Sequence, residues 1–103
     1  MRLEIAAGVR PALEKRKRWW RAHRDKAPDL FEREFEEAVA QIQQAPESFP
    51  IYSSKGSHSV RRCLMPKTKC HLYIEIHAED DAVWIVAAGG GQQRRTPPAT
   101  RPR

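Results

Sequence analysis

The chain has 103 residues, a length that suits one domain and leaves no room for a cleft between two. Nineteen lysines and arginines against thirteen aspartates and glutamates give a formal net charge of +6, which favours an anionic partner: nucleic acid, the ribosome, an acidic protein segment or a lipid surface. No apolar run reaches the roughly 18 residues of a membrane span, and two cysteines make no disulfide framework. We therefore expect a cytoplasmic protein with no membrane partner.

The N-terminal part of the chain predicts a short strand followed by a basic helix. Residues 2–6 alternate charged and apolar side chains, as a half-buried strand does. From Val9 to about Lys26, apolar side chains recur on one side of a helix and basic side chains on the other. The adjacent Trp19 and Trp20 would lie about 100° apart around this helix. One of them must therefore face away from the core.

A proline separates this helix from a second, acidic helix. The second helix is predicted from Asp29 to about Ala45, because Pro28 disfavours helical backbone before it and Pro46 follows its end. Its apolar stripe consists of Phe31, Phe35, Ala38, Ile42 and Ala45. Six acidic residues and one basic residue lie between Asp29 and Glu47, whereas the first helix and its turn hold eight basic and two acidic residues. The two helices are predicted to pair as an antiparallel hairpin.

A loop and three strands complete the predicted domain. Residues 47–59 are rich in serine and include a proline and a glycine, so they are predicted to form a loop. Strands are predicted at residues 60–65, 70–77 and 82–88, joined by short turns, the first a type I turn with Pro66 at its second position. The predicted fold class is α+β: an N-terminal strand and an α-helical hairpin packed on a small antiparallel sheet, in the order β-α-α-β-β-β.

The C-terminal end has a different composition. Gly89-Gly90-Gly91 lacks the Gly-Lys-Ser/Thr ending of a phosphate-binding loop and is interpreted as a linker. The last ten residues contain four arginines, three prolines and almost nothing apolar. Residues 1–91 are therefore predicted to form a single domain and residues 92–103 a flexible basic tail.

Histidine and cysteine side chains are the candidate metal ligands. His58, His71 and His77 do not show a metal-ligand spacing, and along an extended strand the last two would lie ~20 Å apart at ~3.3 Å per residue. We expect no metal site and no cofactor. Cys63 and Cys70 are expected to lie roughly opposite each other on paired strands, as free thiols.

Several short segments accompany these elements in a fixed order. Two tryptophans stand near the end of the first helix, Ala27–Phe31 opens the second and Ala45–Pro46 closes it. Residues 59–73 then give an arginine-rich strand, a short proline turn and an aromatic strand. Together, over roughly residues 1–97, this order resembles the RelE/ParE superfamily of bacterial toxins, on its ParE-like side.

The resemblance implies the toxin of a type II toxin–antitoxin pair, a class associated with plasmid stabilization. It implies a cognate antitoxin, usually encoded beside the toxin, that binds and neutralises it in a hetero-oligomer. ParE-like members inhibit growth by poisoning DNA gyrase, and RelE-like members cleave mRNA in the ribosomal A site. We expect a ParE-like toxin that binds gyrase. The alternative is a ribosome-dependent mRNA endoribonuclease, and a further alternative is a non-toxic basic binding module or a degenerate toxin.

RNA cleavage without a metal needs a base for the 2′-hydroxyl, cations for the developing charge and an acid for the leaving oxygen. By resemblance, Arg62 and His71 would be the catalytic residues if the protein were a nuclease. Nuclease members carry an arginine and then an aromatic residue or histidine after the last strand. Here the corresponding segment is Gly89-Gly90-Gly91-Gln92-Gln93, and no tyrosine or histidine follows Val86. This departure favours a toxin that acts by binding.

A binding toxin would use its basic surfaces, one on the first helix and others on the strands, the turn and the tail. The candidate target-binding or partner-binding residues are Arg10, Lys17, Arg21, Arg24, Arg61, Arg62, Lys67, Lys69, Arg94 and Arg95. The simpler interpretation of Arg61 and Arg62 is a solvated strand face or ion pairs with the second helix.

Overall fold

The computed structural model describes residues 1–23, 26–54 and 56–90 and contains two helices and five strands in that part of the chain. In chain order these are β1 (Arg2–Ile5), α1 (Val9–His23), α2 (Leu30–Gln44), β2 (Ile51–Ser53), β3 (Val60–Met65), β4 (Cys70–His77) and β5 (Ala82–Gly90). Short 3-10 turns at Pro46–Ser48 and Ala78–Asp80 precede β2 and β5. The predicted α+β class, with its N-terminal strand and helical hairpin, is confirmed. None of the helices described is long and apolar enough to cross a membrane.

The five described strands form one sheet in the order β1-β5-β4-β3-β2. The pairs β2–β3, β3–β4 and β4–β5 are antiparallel, as predicted. The pair β1–β5 is parallel, with Leu3 opposite Val83, so the prediction of a wholly antiparallel sheet was wrong. A parallel pair needs a long connection, which here is the rest of the domain. No local turn in the sequence therefore indicates that β1 and β5 are neighbours.

Two further predictions about the strands are corrected. Residues 51–53, predicted as part of a loop, form the edge strand β2, whose three residues are too few for an alternating pattern to be visible. Gly89 and Gly90, predicted to begin a linker, belong to β5 and pair with His71 and Cys70. Gly91 and the predicted tail at residues 92–103 lie outside the described residues.

The helical hairpin packs on one face of the sheet and forms the core with it. The core includes Val9 and Leu13 of α1, Phe31, Ala38 and Ile42 of α2, and Met65, Leu72, Ile74 and Ile85 of the sheet. This confirms most of the predicted apolar stripe of α2, although Ala45 lies beyond the helix and is exposed. Trp20 packs against the core and Trp19 is 46% exposed, which confirms that the adjacent tryptophans face different ways.

Glu34 is a buried carboxylate that joins α2 to the β3–β4 turn. Its Oε2 accepts a hydrogen bond of 2.7 Å from the N–H of Lys67, and its Oε1 accepts bonds of 2.9 and 2.8 Å from the N–H and hydroxyl of Thr68. The turn is wider than the predicted type I turn. The N–H of Lys69 donates to the carbonyl of Met65, and Lys69 itself has a left-handed backbone with φ 61°.

The two cysteines lie on the core side of the sheet. Cys63 pairs with Leu72 and Cys70 with Met65, so the two cysteines, expected roughly opposite each other, are offset by two residues along the ladder. Both thiols are free, as predicted, and both are buried. Burial first, and then the charges of Cys70 and Glu34, raise the pKa of Cys63 to about 11, so this thiol stays protonated and unreactive in the folded protein.

Candidate functional site: the open face of the sheet

The sheet has a second face, opposite the helices, which we call the open face. Successive side chains of a strand point to opposite sides, so the neighbours of the core residues Cys63, Met65, Leu72 and Ile74 point away from the helices. The open face is built from Tyr52 of β2, Arg62 and Leu64 of β3, and His71, Tyr73, Glu75 and His77 of β4. Tyr73 anchors a second apolar cluster there, with Val60, Val86 and Ala87.

Arg62 is held between two tyrosines of the open face. Its guanidinium carbon lies 5.4 Å from the centre of the Tyr52 ring, and the rings of Tyr52 and Tyr73 meet edge to face with centroids 5.0 Å apart. Burial and the neighbouring Tyr52 raise the pKa of Tyr73, while a hydrogen bond with Arg62 opposes that shift. The arrangement presents an exposed cation whose position is set by aromatic contacts.

His71 lies on the same face as Arg62, diagonally across the β3–β4 ladder. Burial first, and then the positive charge of Arg62, lower the pKa of His71 below its ordinary 6.5. The ring centroid is 6.3 Å from that of Tyr73, and the opposite residue on β3 is Leu64, whose side chain is 49% exposed. The structure thus brings together the two residues that a nuclease would use. It adds Tyr52, which sequence reasoning missed because its strand was taken for a loop.

A cluster of histidines and carboxylates occupies the end of β4 on this face. His58, from the β2–β3 loop, stacks on His77 with ring centroids 3.9 Å apart and planes 10° from parallel. Nε2 of His77 is 3.0 Å from Oε1 of Glu75, a residue that is 3% exposed. Glu79, in the following 3-10 turn, approaches both histidines. Sequence reasoning compared distances along one strand, and so missed a loop that folds back beside it.

The other basic residues that were predicted to bind a partner from β3 and the β3–β4 turn do not share the surroundings of Arg62. Arg61 points away from the open face, and its Nη1 donates to the carbonyls of Glu47 and Phe49 at 3.1 and 2.7 Å. It therefore ties the 3-10 turn before β2 to β3. Lys67 and Lys69 are exposed at the β3–β4 turn.

Two basic residues of α1 contact the acidic helix. Lys17 lies 3.8 Å from Glu32 of α2, and Arg21 is hydrogen-bonded to the same carboxylate. Arg10 and Lys17 also border a shallow groove of about 270 Å³ between α1, α2 and β1, with an apolar floor that includes Phe31. The predicted charge complementarity of the hairpin is therefore present as contacts. Arg24, Arg94 and Arg95 lie outside the described residues.

Comparison of the chain with models of known protein families found no family that matches it, and comparison with curated proteins found no match either. The likeness to the RelE/ParE superfamily therefore stays a prediction carried by the segments quoted above. What the protein does has to be argued from the open face and from the chemistry of its residues.

Proposed function

We propose that this protein is the cytoplasmic toxin of a type II toxin–antitoxin pair, of the ParE-like kind, which stops growth by binding DNA gyrase. The observation that carries this proposal is the open face itself. One side of the sheet is covered by the helical hairpin, and the other presents Arg62 beside Tyr52, with Tyr73 beneath and Leu64 nearby. By resemblance, Arg62 stands where the superfamily has a basic residue.

The composition of this face suits binding to a protein. Arginine and tyrosine are enriched among the residues that dominate protein–protein affinity, and Leu64 adds an apolar side chain that is 49% exposed. Arg62 is already stacked on Tyr52, so fewer rotamers are lost when a carboxylate or carbonyl of the target reaches it. The net charge of +6 favours an acidic surface on gyrase and an acidic segment on the antitoxin, which would neutralise the toxin in a hetero-oligomer.

A second candidate is a metal-independent, ribosome-dependent endoribonuclease. It is favoured by the position of His71 and Arg62 on one face of the sheet, and the lowered pKa of His71 agrees with it. A neutral imidazole can take the proton of a 2′-hydroxyl, and a guanidinium group can stabilise the charge on the phosphorane. The glycine and glutamine residues that stand where nuclease members carry arginine and an aromatic residue make this the weaker candidate.

Controlled expression in bacteria separates these functions. The wild type is induced alone, with the neighbouring antitoxin gene, and as Arg62→Ala, His71→Ala and Arg33→Ala, the last being an exposed arginine of α2. A gyrase-binding toxin should stop growth with DNA-damage signalling and co-purify with gyrase. Arg62→Ala should relieve the arrest, while His71→Ala and Arg33→Ala should not.

Two other outcomes of this experiment would change the proposal. Arrest with cut mRNA, abolished by both Arg62→Ala and His71→Ala, would replace gyrase with the ribosome as the target. Normal growth of cells that contain soluble wild-type protein would overturn both toxin proposals and leave a basic binding module or a degenerate toxin.

A further inference from the structure

We infer that His58, His77 and Glu79 form a binding site for a divalent transition-metal ion of the zinc type. Each of the three residues offers one ligand atom, and these atoms all lie within 4.8 Å of one another. Imidazole nitrogen and carboxylate oxygen are common zinc ligands. This inference departs from the expectation that the histidines bind no metal, and it is independent of the proposed toxin activity.

The second nitrogen of each histidine is already held by an oxygen. Nδ1 of His58 is 3.2 Å from the hydroxyl of Ser57, and Nε2 of His77 is 3.0 Å from Oε1 of Glu75. The opposite nitrogens face Glu79, whose Oε2 lies 3.3 Å from Nε2 of His58 and 3.8 Å from Nδ1 of His77. Metal-binding histidines characteristically donate their other N–H to such an oxygen, which sets the ring orientation and tautomer.

Glu75 gives the site its outer support. The residue is 3% exposed and its carboxylate contacts His77. A buried carboxylate is costly unless cations or hydrogen-bond donors compensate it. A cation bound at Nδ1 of His77 would make its Nε2–H a stronger donor to Glu75, so metal binding and burial of this carboxylate favour each other.

Two of the three ligand–ligand separations are close to those of a tetrahedral site, and all three are within 4.8 Å. Zinc with ligands at about 2.0–2.1 Å separates its ligand atoms by about 3.3 Å, near the 3.3 and 3.8 Å observed at Glu79. A nitrogen lone pair lies in the ring plane, so the stacked His58 ring must turn towards Glu79 as the ion binds. His58 belongs to the loop between β2 and β3, and its side chain is 22% exposed, which allows this rotation. Three protein ligands leave a fourth position for water or a partner's side chain.

The test is zinc binding by the tag-free full-length protein, measured by isothermal titration and by competition with a chromogenic chelator. The wild type should bind one Zn²⁺ per chain. His58→Ala should weaken binding at least tenfold, and Glu75→Gln should weaken it by about 10- to 100-fold, as other outer-shell changes do. His23→Ala, which removes an exposed histidine of α1, is the matched control and should bind as the wild type does. Circular dichroism checks that each variant is folded.

Cobalt substitution identifies the ligands. Co²⁺ in a nitrogen and oxygen site should give visible d–d absorption without a sulfur-to-cobalt charge-transfer band. That band would assign the metal to Cys63 or Cys70 and overturn the inference. A wild type that takes up no Zn²⁺, or a His58→Ala variant with wild-type affinity, would also overturn it, leaving the histidine stack as an ordinary packing contact.

Discussion

The guanidinium group of Arg62 is positioned before any partner arrives, because the Tyr52 ring lies 5.4 Å from it. A side chain with as many rotamers as arginine loses up to about 2 kcal/mol of conformational free energy when it is fixed. Part of this loss has already occurred in the folded protein. Arg62 is therefore the residue of the open face whose replacement should weaken target binding most.

The pKa of His71 offers a residue-level prediction. Because burial and the charge of Arg62 lower this pKa below 6.5, the folded protein binds the proton less readily than the unfolded chain does. The stability contributed by neutral His71 is present above about 6.5 and is lost as pH falls through the lowered folded value. Arg62→Ala removes the second cause, so the pKa of His71 should rise.

Titration of the histidine C–H resonances by NMR measures this shift. The His23 resonance is the internal reference, since its ring stacks on Trp19 of α1. An unchanged His71 pKa in Arg62→Ala would contradict the electrostatic contact. Loss of stability on acidification should be smaller in His71→Asn than in the wild type.

Glu34 carries a prediction about stability. Glu34→Ala leaves two backbone N–H groups of the β3–β4 turn without their acceptor, at a cost of ~1–3 kcal/mol for each buried group. We expect the free energy of unfolding in urea to fall by about 2–4 kcal/mol. Glu37→Ala, an exposed carboxylate of the same helix, should change it by less than ~0.5 kcal/mol. Equal effects of the two substitutions would contradict the anchoring role of Glu34.

At the level of elements, β3 directs two adjacent arginines to opposite faces of the sheet. Arg61 bonds to the carbonyls of Glu47 and Phe49, whereas Arg62 contacts Tyr52 on the open face. Arg61 and Arg62 are the same residue type in sequence, but side chains alternate along a strand. Arg61 therefore has a structural role, and Arg62 is available for binding.

Alanine substitutions should separate the structural role of Arg61 from the binding role of Arg62. Arg61→Ala should lower the free energy of unfolding by about 1–2 kcal/mol, because two hydrogen bonds that hold the β2 edge are lost, and should leave target affinity nearly unchanged. Arg62→Ala should leave stability within ~0.5 kcal/mol and weaken target binding by roughly 2 kcal/mol, about 30-fold. Urea unfolding and surface plasmon resonance measure the two effects. Identical profiles for the two variants would contradict the assignment of faces.

Some of these elements could be predicted from local sequence patterns, and others could not. The stripe of α2 and the alternation of β4 were predicted because local periodicity encodes them. The parallel partner of β1 was not, because its pairing with β5 depends on contacts between opposite ends of the domain. In β5 an extra residue interrupts the register between Ala87 and Ile85. Val86 and Ala87 therefore both join the open-face cluster, which simple alternation does not allow.

The same limit applies to the candidate site: residues within predicted strands could be named, whereas contacts between distant segments could not. Arg62 and His71 could be named from their strands and from the resemblance. Tyr52 could not, since a three-residue edge strand has no readable pattern. His58 and His77 are distant in sequence and meet only because a loop folds back beside β4. Neither residue carries a local signal of the contact.

On the scale of the whole molecule, exposed cations lie on both the hairpin and the sheet. Arg10, Lys15 and Arg18 are exposed on α1, and Arg62, Lys67 and Lys69 are exposed at the sheet and its turn. Of the described cations of α1, only Lys17 and Arg21 contact Glu32 of α2. The proposed antitoxin, if acidic, should therefore be steered by both layers, with the contribution of Lys17 and Arg21 reduced by Glu32.

Steering of this kind predicts a salt-dependent association rate. Raising ionic strength from ~0.05 to ~0.5 M should slow antitoxin association at least about tenfold and change dissociation little. Stopped-flow fluorescence measures both rates. The double substitution Lys67→Gln with Lys69→Gln should flatten the salt dependence more than Arg21→Gln, whose guanidinium already contacts Glu32. An association rate insensitive to salt would contradict steering.

The two cysteines bury their sulfur atoms between the sheet and the helical hairpin. A thiol reagent can reach them only when these two layers separate, and the thiols ionise reluctantly while the layers stay together. The rate of labelling by such a reagent therefore reports how often the hairpin lifts from the sheet. The unmodified chain thus carries its own probe of the separation of these two layers.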